Sequence, residues 1–221
     1  MNEFFDYEID LVNKFIDLKF KTSSRSITTT EVPIRWGNID IINIKNNYVP
    51  FSKEQCEVLS RASNSRIFLK TKKDRGISKD KLIAEKGMSD STIVNCINQL
   101  IKVNLIIKRD NLYYRNVNFT FPKIIITGYE AKLTDYNKAF FQAMINKEYV
   151  DYSYIVFPMD VANKLLEKYQ EILIEHGIGL IGVSKRKQKT LIRAKRSNRI
   201  KNYIRLANLV QTNLKASVYQ Y

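Results

Sequence analysis

Glu130 and Lys132 stand two residues apart at the end of an apolar, β-branched run, Lys123-Ile-Ile-Ile-Thr-Gly-Tyr-Glu-Ala-Lys-Leu133. Such a run predicts a buried strand. Residues i and i+2 of a strand share a face, so a carboxylate and an ammonium are expected side by side at the rim of a sheet. Upstream, Gly37-Asn-Ile-Asp-Ile-Ile-Asn-Ile-Lys45 predicts a second short strand with Asp40 near its start. Two carboxylates can hold a divalent metal ion, and a lysine beside them can orient or activate a water. The acid-x-Lys triplet alone is a weak signal, and it occurs again at Asp17-Leu-Lys19 in a helical pattern. On the bland reading Asp40 ends a hairpin, and Glu130 with Lys132 is a same-face ion pair of little energetic weight.

The elements that must position these residues follow from periodicity. Phe4 to Phe20 predicts a helix with Phe5, Ile9, Val12 and Ile16 on one face. After the Glu130 strand, Asp135 to Tyr149 reads as a helix and Tyr152 to Pro158 as a strand. Val161, Leu165, Leu166, Tyr169, Ile172 and Leu173 recur at helical spacing, and Gly177-Ile-Gly-Leu-Ile-Gly-Val183 reads as a third buried strand. The last segment matches GxGxxG, but the match lies within a strand-like run and no acid follows it. A dinucleotide fingerprint opens a helix and needs that acid, so close packing of a parallel strand explains the glycines better.

Asp40 followed by Glu130-Ala-Lys132, in this order of elements, resembles the PD-(D/E)XK nuclease superfamily, whose core is a helix and a β-meander followed by an α-β unit. The resemblance implies an α/β fold, a restriction-endonuclease-like mixed sheet flanked by helices. It implies an enzyme, a metal-dependent deoxyribonuclease that hydrolyses phosphodiester bonds of double-stranded DNA. In that family's terms Asp40 and Glu130 ligate Mg²⁺, with Mn²⁺ as a substitute, the Ala131 carbonyl adds a ligand, and Lys132 lies near the attacking water. Glu8 on the first helix is the expected extra carboxylate, with Asp6 and Glu31 as rivals. Gln142 is similar to the glutamine of the RecB-type branch, and Tyr149 stands near that motif's tyrosine at wider spacing.

Ninety positions separate Asp40 from Glu130, far more than such a site needs. The intervening chain predicts a domain of its own. Ser52 to Ala62 is a helix with Val58 and Leu59 inward, and Ser78 to Gly87 is a second helix capped at both ends. Ser89 opens a third that buries Ile93, Val94, Ile97, Leu100 and Ile101. Ile106 to Tyr114 reads as a hairpin turning at Asp110-Asn111. Three helices and a hairpin resemble a winged helix-turn-helix over residues 51–120, inserted in a nuclease-like domain of residues 1–50 and 121–221. In such a domain Ser91, Thr92, Asn95, Asn98, Gln99 and Lys102 would face a major groove from the third helix, with Lys108 and Arg109 on the wing. A helical insertion that only packs or dimerises is the alternative, and a homodimer is left open.

The net charge of +15 is uneven: +7 over residues 51–122 and +11 over 176–221, against −1 and −2 in the segments holding the carboxylates. No acid follows Glu175. Basic surface flanking an acidic centre suits a phosphodiester substrate. In the last segment a helix with a basic face is expected, carrying Arg193, Arg196 and Arg199 to phosphates, with a stripe of Ile200, Tyr203, Ala207, Val210 and Leu214 on the core. No apolar run approaches 18 residues, so no membrane partner is expected. The N-terminus is acidic and lacks a signal-peptide pattern, so a cytoplasmic location is expected. Cys56 and Cys96 are too few for a disulfide framework or zinc site, and the single His176 argues against zinc-hydrolase or Ser-His-Asp chemistry. No P-loop pattern is present, so no use of ATP is implied. A restriction-type or host-defence endonuclease is the expected setting. The alternatives are a non-catalytic DNA-binding regulator on the same scaffold and a structure-specific repair nuclease.

Overall fold

A computed structural model describes residues 5–21, 26–84 and 87–218. The elements in chain order are α1 (Glu8–Phe20), β1 (Ser26–Ile34), β2 (Gly37–Lys45), α2 (Lys53–Leu59), α3 (Ala62–Lys70), β3 (Ile77–Ser78), α4 (Lys79–Ile83) and α5 (Asp90–Lys102). There follow β4 (Ile106–Arg109), β5 (Leu112–Arg115), β6 (Ile125–Ala131), α6 (Tyr136–Asn146), β7 (Tyr152–Pro158), α7 (Met159–His176), β8 (Gly179–Val183), β9 (Gln188–Ile192) and α8 (Asn202–Val218). They form two compact units: Met1–Asn47 with Ile124–Ile200, and Tyr48–Lys123 with Lys201–Tyr221.

The first unit is α/β, a mixed six-stranded sheet flanked by helices. Its strand order is β1-β2-β6-β7-β8-β9, with parallel pairs only at β6–β7 and β7–β8. Strand β8 is buried along its whole length and β7 from Ile155 onward, which is why these stretches read as apolar runs. One face packs on α1 through Leu11, Val12 and Phe15 against Ile41, Tyr129, Ala131, Val156 and Ile181. The opposite face packs on α6 and α7 through Ala139, Ala143, Leu165 and Leu173 against Ile155, Phe157 and Leu180. The expected inward face of α1 is corrected in part: Val12 is buried, but Ile9 is 58% exposed and Leu11 and Phe15 take the core positions. Phe4 lies outside the described residues.

Gly177 ends α7 in the left-handed conformation at φ 66°, where a Cβ is strained. Gly179 lies in β8 against the Tyr154 ring, which an added Cβ would overlap. The GxGxxG segment is therefore a helix cap followed by a tightly packed strand. Strand β9 is an addition that periodicity missed. It continues the sheet as an edge, and the chain after it is irregular until α8. The arginines expected on a basic helix thus lie elsewhere: Arg193, Arg196 and Arg199 occupy this irregular stretch of the first unit. Arg196 Nε reaches the fully buried Asp151 at 3.3 Å, and Arg199 pairs with Glu148 at 3.5 Å. Asp151 also accepts from the Ile126 backbone N–H at 3.0 Å, so Arg196 ties this stretch to the start of β6.

The second unit packs α2, α3, α4, α5 and a three-stranded sheet of order β3-β5-β4 around one apolar cluster. Ser52, Ser78 and Ser89 each accept a backbone N–H at a helix N-terminus, as their positions predict. Asp110 and Asn111 take φ 45° and 63° between β4 and β5, the conformation a two-residue hairpin turn requires. Helix α3 was not expected. Its C-terminal carbonyls are held by Arg115, whose guanidinium donates to Thr71 at 2.7 Å and to Phe68 at 3.3 Å. Helix α8 belongs with this unit, whereas the sequence pattern predicts all of residues 121–221 with the sheet. The reason is apolar: Leu206 and Val210 share a core with Leu59, Ile67, Phe68, Cys56 and Cys96. Val210 of the expected stripe is buried there with Leu214 packed against it, and both cysteines are free and buried. No helix among the described residues is long and apolar enough to cross a membrane.

Leu206→Ala tests the placement of α8. Truncating a fully buried leucine is expected to cost about 2–5 kcal/mol and to speed labelling of Cys56 and Cys96 by a thiol reagent. Unchanged labelling and melting would separate α8 from this core.

Candidate active site at the end of strand β6

The β2–β6 register builds the site. The last paired rung at this end is Ile41–Tyr129, so Asp40 comes opposite Glu130 one position further on. Directly opposed residues of an antiparallel pair share a face. Both carboxyls therefore lie on the α6 side, at the C-terminal end of a strand that β7 continues in parallel. Catalytic and ligand sites of open α/β sheets gather at such ends. Asp40 Oδ2 accepts the Ala131 backbone N–H at 2.9 Å, which fixes its carboxylate against the strand end.

Glu130 is fully buried. Its Oε1 accepts from Asn146 Nδ2 at 2.5 Å, and its Oε2 is buried with no donor among the described residues. Burial first, and then the Asp40 charge, push the Glu130 carboxyl up to about 8. The Asn146 amide and the Lys132 ammonium pull the other way and are outweighed. Protonated, the Glu130 carboxyl can itself donate to Asp40.

Lys132 lies just past β6 and is 7% exposed in its side chain. It does not pair with Glu130, as the same-face spacing had predicted. Its Nζ donates to the Ala131 carbonyl at 2.9 Å and Glu8 Oε2 at 3.1 Å, and lies 3.4 Å from Asp40 Oδ2. Burial alone would lower this ammonium, but the Asp40 and Glu8 carboxylates hold it above the ordinary lysine value. Glu8 comes from the first turn of α1, on the other face of the sheet, and its side chain is half exposed. Lysine is long enough to join the two faces around the strand's end, which a pattern based on pleat alone cannot foresee.

Of the predicted site residues, Asp40, Glu130, Ala131, Lys132 and Glu8 meet here. The rivals stand apart: Asp6 is exposed, and Glu31, at φ 52°, accepts from Asn38 at 3.0 Å. Gln142 lies one helical turn before Asn146, and its Oε1 is buried without a partner among the described residues. Asn146, not Gln142, holds Glu130. Sequence reading missed it, and the available signal was an i, i+4 polar pair on an otherwise apolar helix face. Tyr149 sits in the turn after α6, its N–H donating to the Asn146 carbonyl at 2.8 Å.

The donor set suits a hard divalent cation: two carboxylates, one with an orphaned buried oxygen, and a backbone carbonyl. Among the described residues no three His, Cys, Asp or Glu side chains gather closely enough to hold a metal ion. Mg²⁺ commonly takes only one or two carboxylates, with waters and substrate oxygens completing its shell. Compared with family models, curated proteins and solved structures, the chain matches none.

A pH-dependent stability follows from Glu130. In the fold it stays protonated up to about 8, whereas the unfolded carboxyl ionises near its ordinary value. Folding then takes up a proton between the two, so stability falls as pH rises through that window and levels off above it. Glu130→Gln keeps an acceptor for Asn146 and has no charge to bury. Melting curves from pH 4 to pH 9 should show the variant gaining over the native protein as pH rises, by an order of several kcal/mol. A constant difference across that range would show that the Glu130 charge is not the cause.

Proposed function

We propose that the protein is a metal-dependent deoxyribonuclease of the restriction-endonuclease-like, PD-(D/E)XK type. It would cut double-stranded DNA, with residues 51–120 acting as an inserted winged-helix domain, in a restriction or host-defence setting within the cytoplasm. The observation that carries the reading is the meeting of Asp40, Glu130 and Lys132 at the end of β6. They come from strands that 90 residues of chain separate, and Glu8 joins from α1. The surrounding order of α1, the β1-β2-β6 meander, α6 and β7 supports the same family.

Asp40, Glu130 and the Ala131 carbonyl are the residues that would hold Mg²⁺. When bound, that ion polarises the scissile phosphate and stabilises charge on the leaving oxygen. Glu130 has to give up its proton to serve as a ligand. Asn146 holds Oε1 so that Oε2 keeps its aim, and Asp40 is aimed by the Ala131 N–H. Lys132, anchored by Glu8, brings a positive charge to the place where the phosphate and attacking water would meet. A second reading, a DNA-binding regulator without catalysis, is favoured by one feature: Lys132 already neutralises Asp40 and caps the Ala131 carbonyl. Incubation with mixed-sequence plasmid and Mg²⁺ separates the two.

The second unit supplies the DNA surface in this reading. It carries 18 basic and 7 acidic residues, against 19 and 15 in the first. Ser91, Thr92, Asn95, Asn98 and Lys102 are exposed along α5, and Lys108 and Arg109 are exposed on β4. Gln99 is set apart from them. Its Oε1 accepts from buried Asn64 at 2.8 Å and from Arg61 at 3.4 Å, which gives it a structural task.

Two sets of variants test this. Lys132→Ala and Asp40→Asn are expected to abolish Mg²⁺-dependent plasmid cleavage while DNA affinity stays within a few-fold, because their roles lie in the reaction. Equal loss of binding and cutting would assign both residues to the fold instead. In salt-titrated binding, Lys108→Ala with Arg109→Ala should weaken every duplex alike and flatten the log–log slope by up to roughly two units. Asn98→Ala should cost about 1–3 kcal/mol at a preferred site only. Gln99→Ala should instead lower thermal stability, by about 1–3 kcal/mol, since it leaves one N–H of the buried Asn64 amide without its acceptor. Variants of the β4 pair and Asn98 with native affinity would leave this unit a packing or dimerisation module.

A further inference from the structure

Helix α1 covers only part of its face of the sheet. Beyond Phe20, where the helix ends, the same face opens into a pocket of about 490 Å³. Its floor is the other end of the strands that carry the candidate site: Asn43 and Lys45 of β2, Thr127 and Tyr129 of β6, Tyr152 and Tyr154 of β7. All of these alternate with the residues facing α6, so they point the same way by pleat alone. The volume lies within the range of small-molecule sites, about 300–1,000 Å³.

The lining has two chemical characters. Lys19, at the end of α1, and Lys45, at the end of β2, both border the pocket, and among the described residues no acid lines it. Neither makes an ion pair with an acid among the described residues. Lys19 is held below the ordinary lysine value by burial and then by the charge of Lys45, so the two ammoniums repel across the opening. An anion between them would relieve that repulsion. Beside them are three tyrosines, with Tyr129 and Tyr154 already stacked at 5.5 Å and 23° and Tyr152 partly exposed. A flat ring can extend such a stack, and a phosphate matches paired lysines.

We propose that this pocket binds a nucleoside phosphate, its phosphate between Lys19 and Lys45 and its base against the tyrosines. The ligand is either a free nucleotide or the phosphorylated end of a strand, which share this chemistry. The site does not depend on the nuclease reading, because it lies at the opposite end of β6 and needs no metal.

The test is calorimetric titration of the full chain in EDTA with AMP, adenosine and inorganic phosphate. AMP is expected to bind with Kd of about 1 mM or tighter, and adenosine and phosphate each at least about tenfold more weakly. Lys45→Ala and Lys19→Ala should each weaken AMP about tenfold or more. Tyr152→Ala should weaken AMP and leave phosphate unchanged, and Lys164→Ala, exposed on α7, should change neither. Lys45 is exposed, so Lys45→Glu keeps the fold while reversing the charge, and it should remove AMP binding. A 5′-phosphorylated trinucleotide that matches AMP assigns the site to strand ends; binding of AMP alone assigns it to free nucleotide. No saturable binding of AMP up to about 10 mM overturns the proposal. So does native AMP affinity in folded Lys45→Glu and Lys19→Ala, or adenosine binding as tightly as AMP.

Discussion

Two carboxyl groups placed opposite one another inside a protein repel, and the first unit is arranged around the way that repulsion is relieved. The β2–β6 register sets Asp40 against Glu130. Glu130, buried and facing a like charge, keeps its proton, while Asp40 takes a backbone N–H and the Lys132 ammonium. Lys132 is in turn drawn around the strand end toward Glu8, which links α1 to the sheet by charge as well as by its apolar face. Asn146 completes the arrangement from α6. The cluster sets a single ammonium against the Asp40 and Glu8 carboxylates, and Glu130 Oε2 has no partner among the described residues. In the proposed nuclease reading that residual frustration is the useful property, since a divalent cation would satisfy the two acids at once.

Charge is divided between the units in a way that composition alone obscures. The tail with no acid after Glu175 looks like a single basic element, but the structure splits it. Residues up to Ile200 close the sheet with β9 and an irregular stretch, and Arg196 there braces buried Asp151. The rest forms α8, an apolar helix in the core of the second unit. A run of lysines and arginines is thus partly structural, and the surface left for an anionic partner is more basic on the second unit than on the first.

Local signals were legible where one residue type has one physical use. Serines at helix N-termini and Asp110-Asn111 at φ > 0 stood where backbone needs put them, whereas Gly177, expected in a strand, caps α7. The apolar runs of β8 and of β7 from Ile155 onward likewise announced strands buried on both faces. Helix α3 and strand β9 were illegible because their patterns are mixed. Asn64 and Ser65 are buried polar residues in α3, where Asn64 Nδ2 donates to Val58 and Gln99 and Ser65 Oγ to Leu59, and β9 is a half-exposed edge.

By itself the sequence determined the four inner strands and the helices of the sheet unit, the position of Asp40, Glu130 and Lys132 at strand ends, and the presence of a separate segment between them. These rest on periodicity and on residue types, which act over a few positions. Only the tertiary structure decided that Lys132 turns to Glu8 and Asp40 and away from Glu130, and that Asn146 rather than Gln142 holds the buried acid. It also assigned α8 to the second unit and opened a lysine-lined pocket at the far end of β6. Those outcomes depend on strand register, on side-chain reach and on which apolar surfaces meet, and each couples residues tens of positions apart that no local pattern connects.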